Sequence, residues 1–491
     1  MTNGDMEPRT EPFSEPQRLE KLRALSALGL DPFGRRFTNI THHAAEIVER
    51  CDALAGQVVR IAGRVRAVRL HGGSCFLDLH DESGRIQVYV RKDAVGEDAF
   101  RLLDLVDLGD FLGVDGTVFR TRRGEPSVDV TSFVPLTKAL RPPPEKYHGL
   151  QDTELRYRYR YLDLMANPDV RRTFRQRAAI IRAFRHVLDE RGFLEVETPV
   201  LHHQATGAAA RPFGTHHNAL DLDLNLRIAL ELHLKRLLVG GFERVYEIGR
   251  VFRNEGISTR HNPEYTLMEC YQAYGDREDM MDLTEALVRE SARAALGQAR
   301  FTYQGEEFDA GRPWRRITFA QAIRDHGGPD IDRLSGEEDW RGAARGAGID
   351  PTQPIAKLMD DLFEHYAQPH LRQPTFLLDH PAVMSPLARA ADDPRYALRF
   401  EGFIAGMEIG NAYSEQNNPL AQREAFEQQA RERQRGDAEA HALDEDFLFA
   451  LEHGMPPTGG LGIGVDRLCM LLLDAPSLRE VILFPLQRPR A

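Results

Sequence analysis

Two arginines in short, distinctive phrases are the first candidates for chemistry. Arg253 stands in Phe-Arg-Asn-Glu-Gly (252–256) and Arg467 closes Gly-Leu-Gly-Ile-Gly-Val-Asp-Arg (460–467). A guanidinium offers a planar fork of donors that never deprotonates, so an apolar segment delivering one to a loop mouth suits the holding of phosphate. A second set is acidic. Glu269 and Tyr271 are two residues apart in Leu-Met-Glu-Cys-Tyr-Gln, and Asn411, Tyr413 and Glu415 follow the same spacing. On strands, each set projects from one face. Burying Glu269 and Glu415 close together would be costly unless a cation joined them, and a lysine ε-ammonium is such a cation. Ordinary acids on a pair of surface strands are the alternative. A third set, Glu401 and Glu408, is flanked by Phe400, Phe403, Ile404 and Ile409. Carboxylate oxygens beside phosphates are what Mg²⁺ prefers; two glutamates seven apart are usually just solvated, but these apolar flanks speak against simple exposure.

These residues need elements to carry them. Val245 to Phe252 is an apolar-rich run entering a turn-rich stretch with His261-Asn262-Pro263-Glu264-Tyr265. Upstream, Val170, Phe174, Ala178, Ile181, Phe184 and Leu188 make one apolar stripe, which predicts a helix over 168–191 ended by Gly192. Phe-Leu-Glu-Val-Glu-Thr-Pro-Val-Leu then reads as a strand interrupted by Pro199. The absence of regular βαβ alternation predicts an antiparallel α+β domain. A helical, loop-rich stretch from about 300 to 374 separates the two arginine phrases like an insertion.

The N-terminal part has a different texture. Residues 1–55 form a helical extension, with helices expected at 16–28 and 44–54; 56–137 hold five short alternating runs; 138–154, with Pro142-Pro143-Pro144, read as a stiff linker; and 155–491 form the α+β domain. Five strand-like runs punctuated by glycine predict a small closed barrel of the OB type. Cys75, Leu77 and Leu79 share one face, as do Ile86, Val88 and Val90, leaving Phe76, Gln87 and Tyr89 outward. An outward aromatic beside an amide and arginines suits stacking on single-stranded bases; a Phe covered by the N-terminal helices explains the parity equally well. The alternating Arg156 to Tyr161 run is expected to be a packed, salt-bridged junction.

Composition bounds the rest. The 491 residues carry a formal net charge of -12, which argues against non-specific coating of nucleic acid. No apolar run reaches the roughly 18 residues of a membrane span, and the first residues lack the apolar core of a secretory signal. The four cysteines are too scattered for a zinc site or a disulfide framework. A cytoplasmic location is expected.

Taken together, the two arginine phrases resemble motifs 2 and 3 of the class II aminoacyl-tRNA synthetases, and the helix leading to Pro199 resembles motif 1. The surroundings are similar to the lysine-specific branch, and the likeness spans nearly the whole chain. It implies ATP, L-lysine and tRNA(Lys) as substrates, Mg²⁺ held by Glu401 and Glu408, a lysyl-adenylate intermediate, and a homodimer built on motif 1. Arg253 would hold the α-phosphate and the lysine carboxylate. Glu255, Arg260 and His261 would surround ATP, Tyr265 would stack on adenine, and Arg467 would cover its other side and reach the γ-phosphate. Gly207, Glu231, Arg253, Glu269, Tyr271, Asn411, Tyr413 and Glu415 would bind lysine, Glu231 taking the α-amino group. Arg69, Phe76 and Gln87 would read the anticodon; parity from Val59 to Val65 turns Arg69 inward, so a bulge near Val68 must turn it out. Thr206 departs from an expected Gly-Gly pair, and Tyr265 and Tyr413 stand where phenylalanine is usual. An aspartate-specific relative would need cationic groups where Glu269 and Glu415 stand, and these acids disfavour both the aspartyl and the asparaginyl relatives. An enzyme that lysylates a protein would be expected to lack the barrel, and a silent synthetase-like module to lack the arginines.

Overall fold

The computed structural model describes residues 15–34, 36–144, 150–204, 206–208, 210–434 and 443–489. The chain divides into two compact units, Met1–Asn167 and Pro168–Ala491.

The first unit is built on strands β1 (Val58–His71), β2 (Ser74–His80), β3 (Arg85–Arg91), β4 (Phe111–Arg120) and β5 (Pro126–Thr137). They close into a barrel in the order β1-β2-β3-β5-β4, with only β3 and β5 parallel. Alternation fills the interior: Val59, Ile61, Val65, Leu77, Leu79, Val88 and Val114 belong to one buried cluster. In β1 the register shifts between Val65 and Ala67, so the bulge lies at Arg66, slightly before the expected Val68, and Arg69 faces outward opposite Phe76. The helix Pro16–Ala27 is tied down elsewhere: Arg18 donates to the carbonyls of Leu108 and Ala139 at 3.0 and 2.9 Å.

Part of the expected linker is anchored, because the fully buried Lys138 ammonium bonds Asp107 and Asp110 at 2.6 and 2.8 Å; residues 145–149 lie outside the described residues. The Arg-Tyr run forms two short helices, Thr153–Arg158 and Arg160–Ala166. Buried Asp163 gathers Arg156, Arg160 and Asn167 at 3.0, 2.5 and 2.6 Å, so this run serves packing.

The second unit carries β6 (Leu194–Glu195), β7 (Arg244–Phe252), β8 (Glu264–Ala273), β9 (Arg315–Thr318), β10 (Thr375–Leu378), β11 (Arg399–Ile404), β12 (Met407–Ser414) and β13 (Thr458–Gly464). Their order in one sheet is β9-β10-β11-β12-β13-β8-β7-β6. The six central strands are antiparallel as expected, but the outermost pair at each end is parallel, which makes the sheet mixed. Helices α1 (Pro168–Glu190), α2 (Glu231–Val239), α3 (Arg277–Leu296), α4 (Glu445–Glu452) and α5 (Val465–Leu472) flank it. Ile180, Phe184, Met268, Cys270, Leu287 and Ile463 share the core of α1, α3 and α5, whereas Leu234, Tyr271 and Phe447 belong to a separate cluster involving α2 and α4.

Two expectations are corrected here. The segment 193–201 is not one strand: Leu194–Glu195 joins the main sheet and Leu201–His202 a separate three-stranded one, with Pro199, which has no N–H to give a ladder, between them. The stretch 300–374 is not simply a helical insertion. It opens with a hairpin, Arg300–Tyr303 with Glu306–Asp309, and then supplies β9 to the main sheet before its helices begin at Phe319.

Candidate active site

The three middle strands explain how a cavity forms inside a sheet-based domain. Across β8, β13 and β12 the register aligns Glu269, Gly462 and Asn411 in one row and Tyr271, Gly460 and Tyr413 in the next. A central strand with glycine at alternate positions has no side chains on that face, so the neighbouring side chains can lean over it. The result is a cavity of about 450 Å³ lined by Gly207, Glu231, Arg253, Glu255, Arg260, His261, Tyr265, Glu269, Tyr271, Glu408, Asn411, Tyr413, Glu415 and Arg467. The structure therefore brings together every residue assigned to ATP and to lysine; of the two carboxylates assigned to metal, Glu408 lines the cavity and Glu401 does not.

Gly460 marks how tight the packing is. A Cβ there would overlap Glu415 Oε1 and lie 2.5 Å from the Tyr271 ring. Replacing Gly460 by alanine is expected to cost about 1–3 kcal/mol of stability, read as a lowered melting temperature; an unchanged melt would mean that the acids yield without strain.

At one end of the cavity, Arg253 follows directly on β7, and its backbone N–H bonds the Pro263 carbonyl at 2.8 Å across the loop. Among the described residues its guanidinium pairs with no carboxylate. It lies 5.5 Å from the centroid of the Tyr265 ring, and Nε donates to Ile228 O at 3.5 Å. Burial raises the Tyr265 hydroxyl, against which both Arg253 and Arg467 act electrostatically. Arg467 is set by the residue before it: buried Asp466 accepts from Thr266 N at 2.8 Å and pairs with Arg177 of α1 at 2.5 Å, fixing the start of α5. Arg467 donates to Glu408 O at 2.5 Å and pairs with the Glu408 carboxylate at 3.3 Å. The loop residues Glu255, Arg260 and His261 are exposed. Partial burial and the positive charge of Arg467 hold the His261 imidazole below its ordinary value.

At the other end, Glu269 Oε1 accepts from Leu230 N at 3.1 Å, beside the first residue of α2, and Oε2 accepts from the Tyr271 hydroxyl at 3.1 Å. Burial, reinforced by the charge of Glu231, pushes the Glu269 carboxyl up to about 7. Glu415, one residue past β12, is held by its N–H on Thr458 O at 2.8 Å. Asn411 donates to the Tyr413 hydroxyl at 3.0 Å and accepts from Arg399 at 3.2 Å. Gly207 has a φ of +93°, and a Cβ on it would sit 3.2 Å from that of Ala229, so this approach to α2 favours glycine. Buried Thr206 donates to Asp444 at 3.0 Å, tying this loop to the residue that caps α4.

The cation that joins the acids was not foreseen. Lys235, fully buried on α2, lies 2.5 Å from both Glu231 and Glu415, so a lysine of the chain itself bridges two of the three carboxylates. The sequence signal was available: Glu231 and Lys235 are four apart on one helix face, and Lys235 sits among leucines.

Glu401 and Glu408 are set by β11, β12 and a bulge between Gly402 and Phe403. Glu401 is held at 2.5 Å by Arg399, whose charge keeps it low, at about 2, despite its burial; buried His380 lies 3.4 Å away, and burial pushes its imidazole toward the neutral form. Glu408 is raised by burial and by the Glu401 charge. Among the described residues no group of three His, Cys, Asp or Glu side chains is placed to hold a metal. Two carboxylates with one strained upward by the other nonetheless fit Mg²⁺, which takes one or two carboxylates and completes its shell with water and phosphate.

On the barrel, Phe76 and Tyr89 stack at 4.5 Å between centroids, and Phe119 continues the row 6.2 Å beyond Tyr89, a third aromatic that strand parity had not singled out. Arg69 is fixed at 2.7 Å on Asp78, whose side chain is fully buried, and Gln87 accepts from Ser127 at 3.0 Å.

Comparison with known proteins places both units. Residues 152–488 match the family model of class II tRNA synthetases (D, K and N), and residues 59–136 match that of the OB-fold nucleic acid binding domain. The lysine–tRNA ligase of Moorella thermoacetica is 57% identical over 96% of this chain and 97% of its own length. Those of Staphylococcus saprophyticus and Enterococcus faecalis are 51% and 50% identical over 96% of this chain, and over 98% and 96% of their own. A catalytic-domain match of this extent, over a cavity that holds both motif arginines, makes the chain a member of the class II tRNA synthetases of the D, K and N group.

Proposed function

We propose that the chain ligates L-lysine to tRNA(Lys) in translation, through a lysyl-adenylate. The observation that carries the lysine assignment is the acidic end of the cavity: Glu231, Glu269 and Glu415 converge there, and among the described residues the one cation ion-paired with any of them is Lys235. An aspartate side chain would meet repulsion there, and a neutral asparagine amide would leave the acids without a counter-charge. The ligase names of relatives aligned over nearly their full length support the same reading.

The chemistry needs positioning and charge, with little covalent help. Arg253, free of any carboxylate among the described residues, binds the substrate carboxylate and the α-phosphate together. The carboxylate is already ionised at neutral pH, so no general base is required. Its oxygen bonds to the α-phosphorus as the bond to the bridging oxygen breaks and pyrophosphate leaves. A terminal ribose hydroxyl of tRNA then attacks the acyl carbon, and AMP departs. Tyr265 and Arg467 hold the adenine, with Arg467 directed to the γ-phosphate and Glu255, Arg260 and His261 around the nucleotide. Glu231 takes the α-amino group, Gly207 offers backbone, and Glu269, Tyr271, Asn411, Tyr413 and Glu415 surround the ε-ammonium. Glu401 and Glu408 would hold Mg²⁺, which would neutralise phosphate charge.

Arg69, Phe76 and Gln87 read the anticodon, Phe76 by stacking on a base. Replacing Phe76 by alanine is expected to lower tRNA charging at least about tenfold, the loss of one base stack, while leaving lysine-dependent ATP–pyrophosphate exchange intact. Equal losses in both assays would argue against this assignment.

A homodimer is part of the proposal. Leu194, Val200 and Leu201, around the interrupted motif 1 segment, are exposed apolar residues, and β6 ends the sheet with one free edge. A cytoplasmic location fits four buried, unpaired cysteines; no helix among the described residues is long and apolar enough to cross a membrane. The whole reading is tested by charging total tRNA with lysine, aspartate and asparagine in turn. Lysyl-tRNA alone is expected; aspartyl- or asparaginyl-tRNA as the main product would overturn it.

A further inference from the structure

Three carboxylates in one buried cavity pose an electrostatic problem that substrate binding cannot solve, because the empty protein must also fold. Glu231 comes from α2, Glu269 from β8 and Glu415 from the end of β12, and all three are nearly inaccessible, at 6%, 5% and 2% exposure. Lys235 Nζ stands between two of them, 2.5 Å from Glu231 and 2.5 Å from Glu415, and 5.9 Å from the ring centroids of both Tyr271 and Phe447. Its side chain has no exposed surface, and it is not among the residues lining the cavity. The ammonium therefore meets Glu231 and Glu415 from behind the cavity lining. Glu415 Oε1 has no hydrogen-bond partner among the described residues.

We propose that Lys235 is a resident counter-ion and positioning residue: it lets Glu231 and Glu415 share the cavity, stays in place when substrate enters, and fixes the charge that the cage presents. With all three acids ionised, the cage and Lys235 together carry two negative charges. These match the two ammonium groups of lysine, whose carboxylate is left to Arg253; this matching rests on the lysine reading above. The groups facing the acids from the surrounding elements are Lys235 on α2, Tyr271 on β8 and Tyr413 on β12; Arg253, just past β7, acts on Glu269, and Arg399 of β11 acts on Tyr413. Burial raises Glu415, and Lys235 is the largest influence opposing it. Without Lys235, Glu415 would hold its proton to higher pH.

The test compares Lys235→Met with the wild-type protein in melting temperature at pH 6 and pH 8.5, without substrate. A buried acid whose folded value is raised costs stability as pH climbs from its ordinary value to the raised one. The gap between variant and wild type is therefore expected to widen from pH 6 to pH 8.5. A gap of equal size at both would show that Lys235 only fills space and would overturn the proposal. The double variant Lys235→Met, Glu231→Gln removes one charge of each sign, and its gap is expected to be independent of pH. Should the single variant be unfolded at both pH values, the double variant decides: a folded protein with a constant gap supports the proposal, and an unfolded one or a widening gap overturns it. For folded Lys235→Met, the midpoint of the pH dependence of the lysine KM is expected to move up by about one unit, whereas a space-filling role leaves it in place. Lysine-dependent exchange by the wild-type protein reports separately on the lysine reading, so the two can fail independently.

Discussion

Lysine in place of Arg253 is expected to reduce lysine-dependent ATP–pyrophosphate exchange by about 10²–10³-fold, while the melting temperature changes little. The expectation follows from what this guanidinium does and does not touch. It pairs with no carboxylate among the described residues, and its single bond to Ile228 O is long, at 3.5 Å. Removing it should leave no buried partner stranded. What is lost is the planar fork that can hold the substrate carboxylate and the α-phosphate together, which an ammonium cannot reproduce. A purely structural arginine would show the opposite pattern, with a weakened fold and preserved exchange. Arg467 differs in being paired with Glu408, so replacing it would disturb that carboxylate as well.

Glutamine in place of Glu269 is expected to raise the lysine KM about 100-fold, from the loss of a buried charge-assisted hydrogen bond, and to leave the KM for ATP nearly unchanged. Leu230 N can still donate to the glutamine oxygen, so the fold should tolerate the change. The pH dependence sharpens the prediction. Burial and the charge of Glu231 push Glu269 up to about 7, and only its ionised form attracts an ammonium. In the wild-type protein the lysine KM should therefore rise as pH falls from 8 to 6, because lysine must displace a proton. Stability of the empty protein runs the other way, falling as pH rises: this group's penalty grows from the ordinary carboxylate value up to about 7 and is complete above it. The glutamine variant has no such group, so its profile should be flatter. Equal losses in lysine and ATP binding would argue that Glu269 supports the sheet instead of the substrate.

How far the sequence foretold this site depends on the range of the interaction involved. Barrel parity was legible because alternation is local: Cys75, Leu77 and Leu79 go in, and Phe76 comes out. The i, i+2 spacing of Glu269 with Tyr271 was legible for the same reason, whereas the clearing of one face by the alternate glycines of β13 was not read from their spacing. The bulge that frees Arg69 was required by parity, but its position at Arg66 depends on cross-strand pairing that no local pattern encodes. The interruption at Pro199 was visible, whereas the assignment of its two halves to different sheets was not. The largest omission was Lys235. Its helical partner Glu231 was four residues away, but Glu415 lies far along the chain, and only the fold brings it to the ammonium. Arg399 and His380, which hold Glu401, were missed in different ways. Arg399 lies two residues from Glu401 on one strand and could have been found by spacing, whereas His380 reaches it only through the fold.

The central claim is that the acidic end of this cavity selects an amino acid by its ε-ammonium. ATP–pyrophosphate exchange with lysine, norleucine, aspartate and asparagine tests it most directly, since norleucine keeps the chain length and removes only the terminal nitrogen. The account predicts exchange with lysine, a preference over norleucine of at least about 10⁴-fold because the buried acids would be left unpaired, and none with aspartate or asparagine. Exchange with norleucine comparable to that with lysine, or no exchange with lysine at all, would contradict it.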